Sequence, residues 1–202
     1  MKTIKYDDYR KIAKTFDILN FENKDWFWRL IGHTAMVVVN HQYDQISCWE
    51  STSRGLGGQS GVQLNPLRAR LETCGSRVFV RQILTTKIGM YFNSISTLKE
   101  YIKANRGLPY PDLKTRYGRW YLIKAALDCG KLTENKENPK MRFCTDLVAA
   151  TYRDCGLARF DCASSEFEPD DMRGYSKGWS MNVFDAYLVD GILLSDEMEI
   201  IL

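Results

Sequence analysis

Nucleophilic catalysis by this chain would depend on few side chains, because its 202 residues include six cysteines and only two histidines, His33 and His41. A thiol is a useful nucleophile as the thiolate, and the free N–H groups and dipole of a helix's first turn favour that form. Cys144 is the cysteine predicted to lie in such a first turn. The sequence therefore points to Cys144 as the candidate nucleophile.

His33 is the candidate general base for this thiol. It opens GHTAMVVVN (32–40), a nearly continuous β-branched run that predicts a strand buried on both faces and a rigidly held ring. His41 lies in HQYDQ (41–45), which has the length of a hairpin loop. A solvated turn residue is the simpler interpretation of His41.

A catalytic imidazole also needs a polar group that orients it, and Glu50 in the returning strand ISCWES (46–51) is the candidate. In an idealised hairpin centred on Tyr43, Glu50 lies opposite Met36, about three positions from His33. That offset is awkward, although a long side chain or a β-bulge can bridge it.

Other interpretations stay open at this point. Ser51 and Ser53 are possible substitutes for the orienting role of Glu50. Taken singly, Cys144 could be a small buried residue, His33 a satisfied core residue and Glu50 a solvent-facing carboxylate. The catalytic interpretation gains its weight from the three residues together.

Periodicity predicts the elements that position these residues. Strands are expected at 17–21, 32–40, 46–51 and 77–84, with a glycine-rich connection at 53–66. Helices are expected at 96–105, 115–129 and 143–155, with a helix lead-in at 24–31, a polar loop at 133–140 and an edge element or helix at 190–202. The 143–155 helix should turn one face inward, formed by Cys144, Leu147, Val148, Thr151, Tyr152 and Cys155.

Length and composition favour a single α+β domain over residues 1–202. The chain is 45% apolar and 26% charged, and no repeat or linker divides it. The charged start MKTIKYDDYR (1–10) lacks the apolar core of a secretory signal, and no apolar run is long enough to cross a membrane. We therefore expect a cytoplasmic protein with free thiols and no stable membrane insertion.

Several ligand classes are disfavoured. The net charge of +3 is too small to imply a nucleic-acid partner, and the mixed arginine and aromatic segment 116–124 is equally well a helix core. The cysteines form no CxxC pair, so we expect no metal and no cofactor. RGLGGQSGV (54–62) lacks the third glycine of a dinucleotide fingerprint and the Lys-Ser/Thr pair of a phosphate loop. A flexible loop beside the cleft is expected there.

Several segments together resemble the circularly permuted NlpC-type papain-fold hydrolases, the YiiX-like group. The matching segments are DILNF (17–21), GHTAMVVV (32–39), CWES (48–51), GV (61–62) and FCTDLVAATYRDCGL (143–157), with weaker matches in GLPYPD (107–112) and EPDDM (168–172). The chain order His, acid, Cys is the mark of the permutation, because ordinary papain-like enzymes have the cysteine first. Thr34, where the family often has Val, and the helix at 114–129 depart from the family pattern.

This resemblance implies a circularly permuted papain-like α+β fold, with a small antiparallel β-sheet packed against helices. It implies a cysteine hydrolase of peptidase or amidase type, with Cys144 as nucleophile, His33 as base and Glu50 as orienting acid. The Cys144 backbone N–H would serve part of the oxyanion hole.

The substrate would be an acyl-bearing peptide, lipid or conjugate, cleaved at an amide, ester or thioester bond through an acyl-enzyme. Two alternatives share the fold: a binding module without turnover, and an acyltransferase that uses the same triad.

Overall fold

Alternating apolar residues in the central strands face two separate cores. The computed structural model describes residues 2–22, 32–111, 140–174 and 183–202. Ile18 and Met36 belong to one buried cluster, whereas Leu19 and Val37 belong to the other. This alternation is what a strand of period two requires when both faces of its sheet are covered.

The described residues form nine strands and four α-helices. The strands are β1 (Lys2–Lys5), β2 (Ile18–Glu22), β3 (His33–Asn40), β4 (Gln45–Thr52), β5 (Gly61–Pro66), β6 (Arg77–Arg81), β7 (Ile83–Thr85), β8 (Ile192–Leu194) and β9 (Met198–Ile201). The helices are α1 (Tyr6–Ile12), α2 (Leu67–Thr73), α3 (Ile88–Asn105) and α4 (Cys144–Asp154).

Seven of these strands make one mixed sheet in the order β1-β9-β6-β2-β3-β4-β5. Neighbours are antiparallel except β1 and β9, which pair in parallel. Strands β7 and β8 form a separate antiparallel ribbon. The α+β class is confirmed, but the expectation of a small, purely antiparallel sheet is wrong, because the two chain termini add a parallel pair at one end.

Helices cover both faces of the sheet. The first cluster joins Trp49 of β4 to Leu98 of α3 and to Leu147 of α4. The second joins Tyr9 of α1 and Leu67 of α2 to the opposite face. A three-layer arrangement results, with α4 packed across β3 and β4.

Most predicted strands and the α4 helix are confirmed, and several other predictions need correction. The connection predicted at 53–66 contains β5, and a second unpredicted element, α2, follows it. The helix predicted from residue 96 begins at Ile88. The segment 190–202 forms two strands, of which β9 is an interior strand between β1 and β6.

The strand predicted at 77–84 is divided in two. Strand β6 ends at Arg81, and the backbone N–H of Ile83 donates 2.9 Å to Asp17 Oδ1. The chain then continues as β7 in the second sheet. The elements predicted at 24–31 and 115–129, the segment 116–124 and the loop 133–140 up to residue 139 lie outside the described residues.

Candidate active site

Cys144 is the first residue of α4, as the sequence predicts. Phe143 occupies the N-cap position and provides no side-chain acceptor, so the N–H groups of the first turn are left for other partners. The backbone N–H groups of Thr34 and Thr145 donate to the Cys144 sulfur. The first nine residues of α4 are all buried, including the predicted inward face, so the helix is enclosed rather than half exposed.

His33 links the thiol to a buried carboxylate. Its Nε2 lies 2.7 Å from Glu50 Oε2, and its ring is hydrogen-bonded to the Cys144 side chain. Glu50 is ionised and can only accept, so Nε2 carries the proton and Nδ1 is the nitrogen that remains for the thiol. The three predicted residues are therefore contiguous, with the imidazole in the middle.

The pairing of β3 with β4 differs by one residue from the idealised hairpin. Met36 pairs with Trp49, because the strands close at Asn40 and Gln45 around a four-residue loop. Continued by one position, this register places Glu50 opposite Ala35, two residues from His33 and on the same side of the sheet. The awkward offset in the prediction disappears, and no bulge is needed.

Glu50 has two further partners that sequence reasoning missed. Asn65 Nδ2 donates 2.7 Å to Glu50 Oε1, and Arg70 Nε lies 2.8 and 3.1 Å from Oε1 and Oε2. Asn65 lies on β5 and Arg70 on α2, the two elements that the sequence did not predict. The sequence signal for β5 was the alternation of Val62 and Leu64 with polar residues, and the signal for α2 was the i, i+4 spacing of Leu67 and Leu71.

The aromatic ring of Phe21 packs against both the imidazole of His33 and the guanidinium of Arg70. Phe21 pairs with His33 across β2 and β3, and their ring centroids are 5.1 Å apart. The guanidinium carbon of Arg70 lies 5.0 Å from the centroid of the same Phe21 ring. These ring contacts therefore position His33 and Arg70 in addition to their hydrogen bonds to Glu50.

The electrostatics favour a thiolate and an imidazolium. Burial raises the pKa of the Cys144 thiol, but the hydrogen bond and charge of His33 and the Thr34 and Thr145 N–H groups hold it below its ordinary value. Burial lowers the pKa of His33, yet Cys144 and Glu50 outweigh it and raise that pKa to about 9.

Glu50 completes this charge distribution. Burial raises the pKa of its carboxyl, but the hydrogen bond and charge of His33 and the charge of Arg70 outweigh that effect and lower the pKa to about 2. Glu50 is thus an anion over the whole range in which a protein of this kind would work, and it stabilises the imidazolium beside it.

The other described cysteines differ from Cys144. Burial raises the pKa of Cys48, of Cys155 to about 12, and of Cys162. All five described cysteines are free. Among these five cysteines, Cys144 is thus the thiol with the environment of a nucleophile.

The remaining candidates do not contact the imidazole. The Ser51 hydroxyl donates to the backbone carbonyl of Arg142 and ties β4 to the start of α4. Ser53 is exposed beyond the end of β4, and His41 is exposed in the hairpin turn. Of the three candidates for the orienting role, Glu50 is accordingly the one that the structure places against His33.

Comparisons with known proteins leave the family open, since no family model matches the chain and no curated protein shows significant similarity to it. Within the described ranges, no three histidine, cysteine or acidic side chains gather into a metal site. None of the helices described combines the length and apolar character needed to cross a membrane.

Proposed function

We propose that this chain is a cysteine hydrolase of the peptidase or amidase type, built on a circularly permuted papain-like fold. The observation that carries the proposal is the His33 ring held between the Cys144 thiol and the ionised Glu50. The order of these residues along the chain and the packing of α4 on β3 and β4 support the permuted fold. The free thiols suit a reducing cytoplasm.

The proposed reaction proceeds through an acyl-enzyme. The Cys144 thiolate attacks the carbonyl carbon of an amide, ester or thioester, and the carbonyl oxygen becomes an oxyanion. The Cys144 backbone N–H donates to no acceptor among the described residues and is free to stabilise this oxyanion. His33 gives its proton to the leaving group, so that the carbonyl re-forms as a thioester.

Release of the acyl group reverses the proton transfers. Neutral His33 takes a proton from water, whose oxygen attacks the thioester carbonyl, and the thiolate leaves as the carboxylic acid forms. The imidazole then stands as imidazolium beside the thiolate, as at the start. Glu50 keeps the ring orientation through both half-reactions.

Thiol labelling tests the first requirement of this proposal. At pH 7 iodoacetamide should alkylate Cys144 at least about tenfold faster than Cys74 and Cys162, because an ordinary thiol is only a few per cent thiolate there. His33→Ala should remove this advantage. His41→Ala is the matched control and should leave it intact, because His41 is exposed and far from the thiol in the fold. Equal, slow labelling of all thiols would refute the enzyme proposal.

Turnover distinguishes the hydrolase from its two alternatives. With p-nitrophenyl acetate, a hydrolase should form an acetyl group on Cys144 that water then removes, and Cys144→Ser should form none. A binding module would form no acyl-enzyme. An acyltransferase would pass the acetyl group to an added amine or alcohol faster than to water.

A further inference from the structure

A cavity of about 490 Å³ lies beside the candidate triad, between the glycine-rich segment 53–58 and α2. Its polar lining includes Ser53, Arg54, Arg70 and Thr73. Among the described residues no acidic side chain lines it, and its charged lining residues are Arg54 and Arg70.

Arg70 presents fixed donors to this cavity. Its Nε is bound to Glu50, and its guanidinium lies over Phe21, so the inner edge of the group is held in place. Neither terminal nitrogen of Arg70 hydrogen-bonds to any residue in the described ranges, although the side chain is only 11% exposed. A guanidinium held in this way has a planar pair of N–H donors ready for an oxyanion.

Arg54 is the second basic residue of the lining. Its backbone N–H is fixed by Thr52 Oγ1 at 3.2 Å, while its exposed side chain forms no ion pair within the described parts of the chain. Arg68, two residues before Arg70 on α2 and outside the cavity lining, is instead paired with Glu72 and Asp7. The charge of Arg54 is therefore not balanced by an acidic side chain of the described residues and can interact with a ligand.

Two glycines leave part of the cavity lining without side chains. Gly57 and Gly58 adopt left-handed backbone angles, φ 66° and 77°, which other residues rarely adopt. A Cβ atom at either position would meet nothing within 4 Å. The glycines shape the turn without placing side chains in the cavity, so a ligand can come close to Arg70.

We propose that this cavity binds an oxyanion group, the chemistry shared by a carboxylate and a phosphate monoester, between the guanidinium groups of Arg54 and Arg70. Because Glu50 is paired with Arg70 Nε, it balances the charge of Arg70, and Arg54 supplies the net positive charge. Arg70 supplies the N–H donors directed at the ligand. The site adjoins the triad through Arg70, but its existence does not depend on hydrolase activity.

Titration of the Cys144→Ser protein with inorganic phosphate and, separately, with acetate tests this site. By amide NMR, saturable shifts should concentrate on residues 54–58 and 70. Arg54→Ala should weaken binding of the preferred anion at least about tenfold, the loss expected for one charge-assisted pair. Arg68→Ala removes the same charge from a residue of α2 outside the cavity lining and should leave the affinity for the anion unchanged.

The two anions identify the class of ligand. Tighter binding of phosphate assigns a phosphate monoester, and tighter binding of acetate assigns a carboxylate. Absence of saturable binding for both anions would overturn the proposal, as would equal losses in Arg54→Ala and Arg68→Ala. None of these results depends on turnover, so failure here leaves the thiol-labelling test of the hydrolase untouched.

Discussion

At the residue scale, the site depends on one imidazole that serves two partners at once. His33 donates to a carboxylate whose pKa is lowered to about 2, and it faces a thiol whose pKa is also lowered. Each negative group stabilises the imidazolium, which is why the pKa of His33 rises to about 9 despite burial. The thiolate and imidazolium titrate as a pair.

The pH dependence of turnover should follow this pair. Because the raised pKa keeps His33 protonated up to about pH 9, kcat/KM should fall above that pH as the leaving group loses its acid. Iodoacetamide alkylation needs only the thiolate and should not fall there. Both rates measured from pH 6 to 10 on one preparation check this. An alkaline limb near the ordinary histidine pKa would contradict the pairing.

Glu50 carries a structural role and an orienting role, and substitution can separate them. Glu50→Gln leaves the nearly buried Arg70 without its counter-charge, so we expect a loss of about 3 to 5 kcal/mol in the free energy of unfolding, together with lost turnover. Glu50→Gln/Arg70→Gln should recover much of the stability in urea denaturation but no turnover.

Two results would contradict this division of roles. Recovery of turnover in the double variant would show that Glu50 acts only through the fold. Loss of stability in Glu72→Gln, which breaks the exposed Arg68–Glu72 pair, would show that the effect is not specific to the buried carboxylate.

The three central residues could be predicted from the sequence, whereas their support could not. Residue type and element position single out Cys144 and His33, and the hairpin brings Glu50 near. Asn65 and Arg70 reach Glu50 from elements whose own sequence signals are weak, and contacts across strands leave no local pattern. Their catalytic roles remain predictions until turnover is measured.

At the element scale, the elements with the strongest hydrophobic pattern were those that the sequence predicted best. Strand β3 and helix α4 bury long apolar faces, and both were predicted within one or two residues. Strand β5 was missed because Gln63 and Asn65 are polar yet buried, and Asn65 is buried to serve Glu50. Strands β1 and β9 are four residues each, too short for periodicity to reveal.

A buried hydrogen bond also joins the second half of α4 to strand β4. Trp49 Nε1 donates 3.3 Å to Thr151 Oγ1 in the buried core. Thr151→Val would leave the indole N–H buried without an acceptor, and we expect a loss of about 1 to 3 kcal/mol in the free energy of unfolding.

Thr151→Ser retains the hydroxyl and serves as the control. Chemical denaturation of both variants gives the comparison, and Cys144 labelling in the folded Val variant should be unchanged because the first turn of α4 is not altered. A serine variant as unstable as the valine variant would contradict the assignment of the loss to the hydroxyl, because serine keeps that group.

At the scale of the whole molecule, the first and last strands, β1 and β9, pair with each other at one end of the main sheet. Strand β9 lies between β1 and β6, so the last strand and the first strand depend on each other, and β6 joins them to the strands that carry the candidate site. A sheet assembled in this way has no separable half. We therefore expect the protein to unfold as one cooperative unit.

The ion pair between Arg81 and Asp185 can be used to test whether the protein unfolds as one cooperative unit. Arg81 lies on β6 with 2% of its side chain exposed, and its two terminal nitrogens lie 2.7 and 2.6 Å from the Asp185 oxygens in the segment 183–187. Asp185→Asn leaves the guanidinium buried without its counter-charge, which should cost about 3 to 5 kcal/mol.

Because the sheet is continuous, that loss should lower the urea midpoint equally for Trp fluorescence, far-UV circular dichroism and the protection of buried Cys48 on β4 from alkylation. Asp190→Asn, which breaks only the exposed Lys87–Asp190 pair, should leave all three midpoints in place. If Asp185→Asn instead exposed the C-terminal segment while Cys48 stayed protected, the termini would form a separate unit, and the candidate site would be stabilised by β2 to β5 and their helices alone.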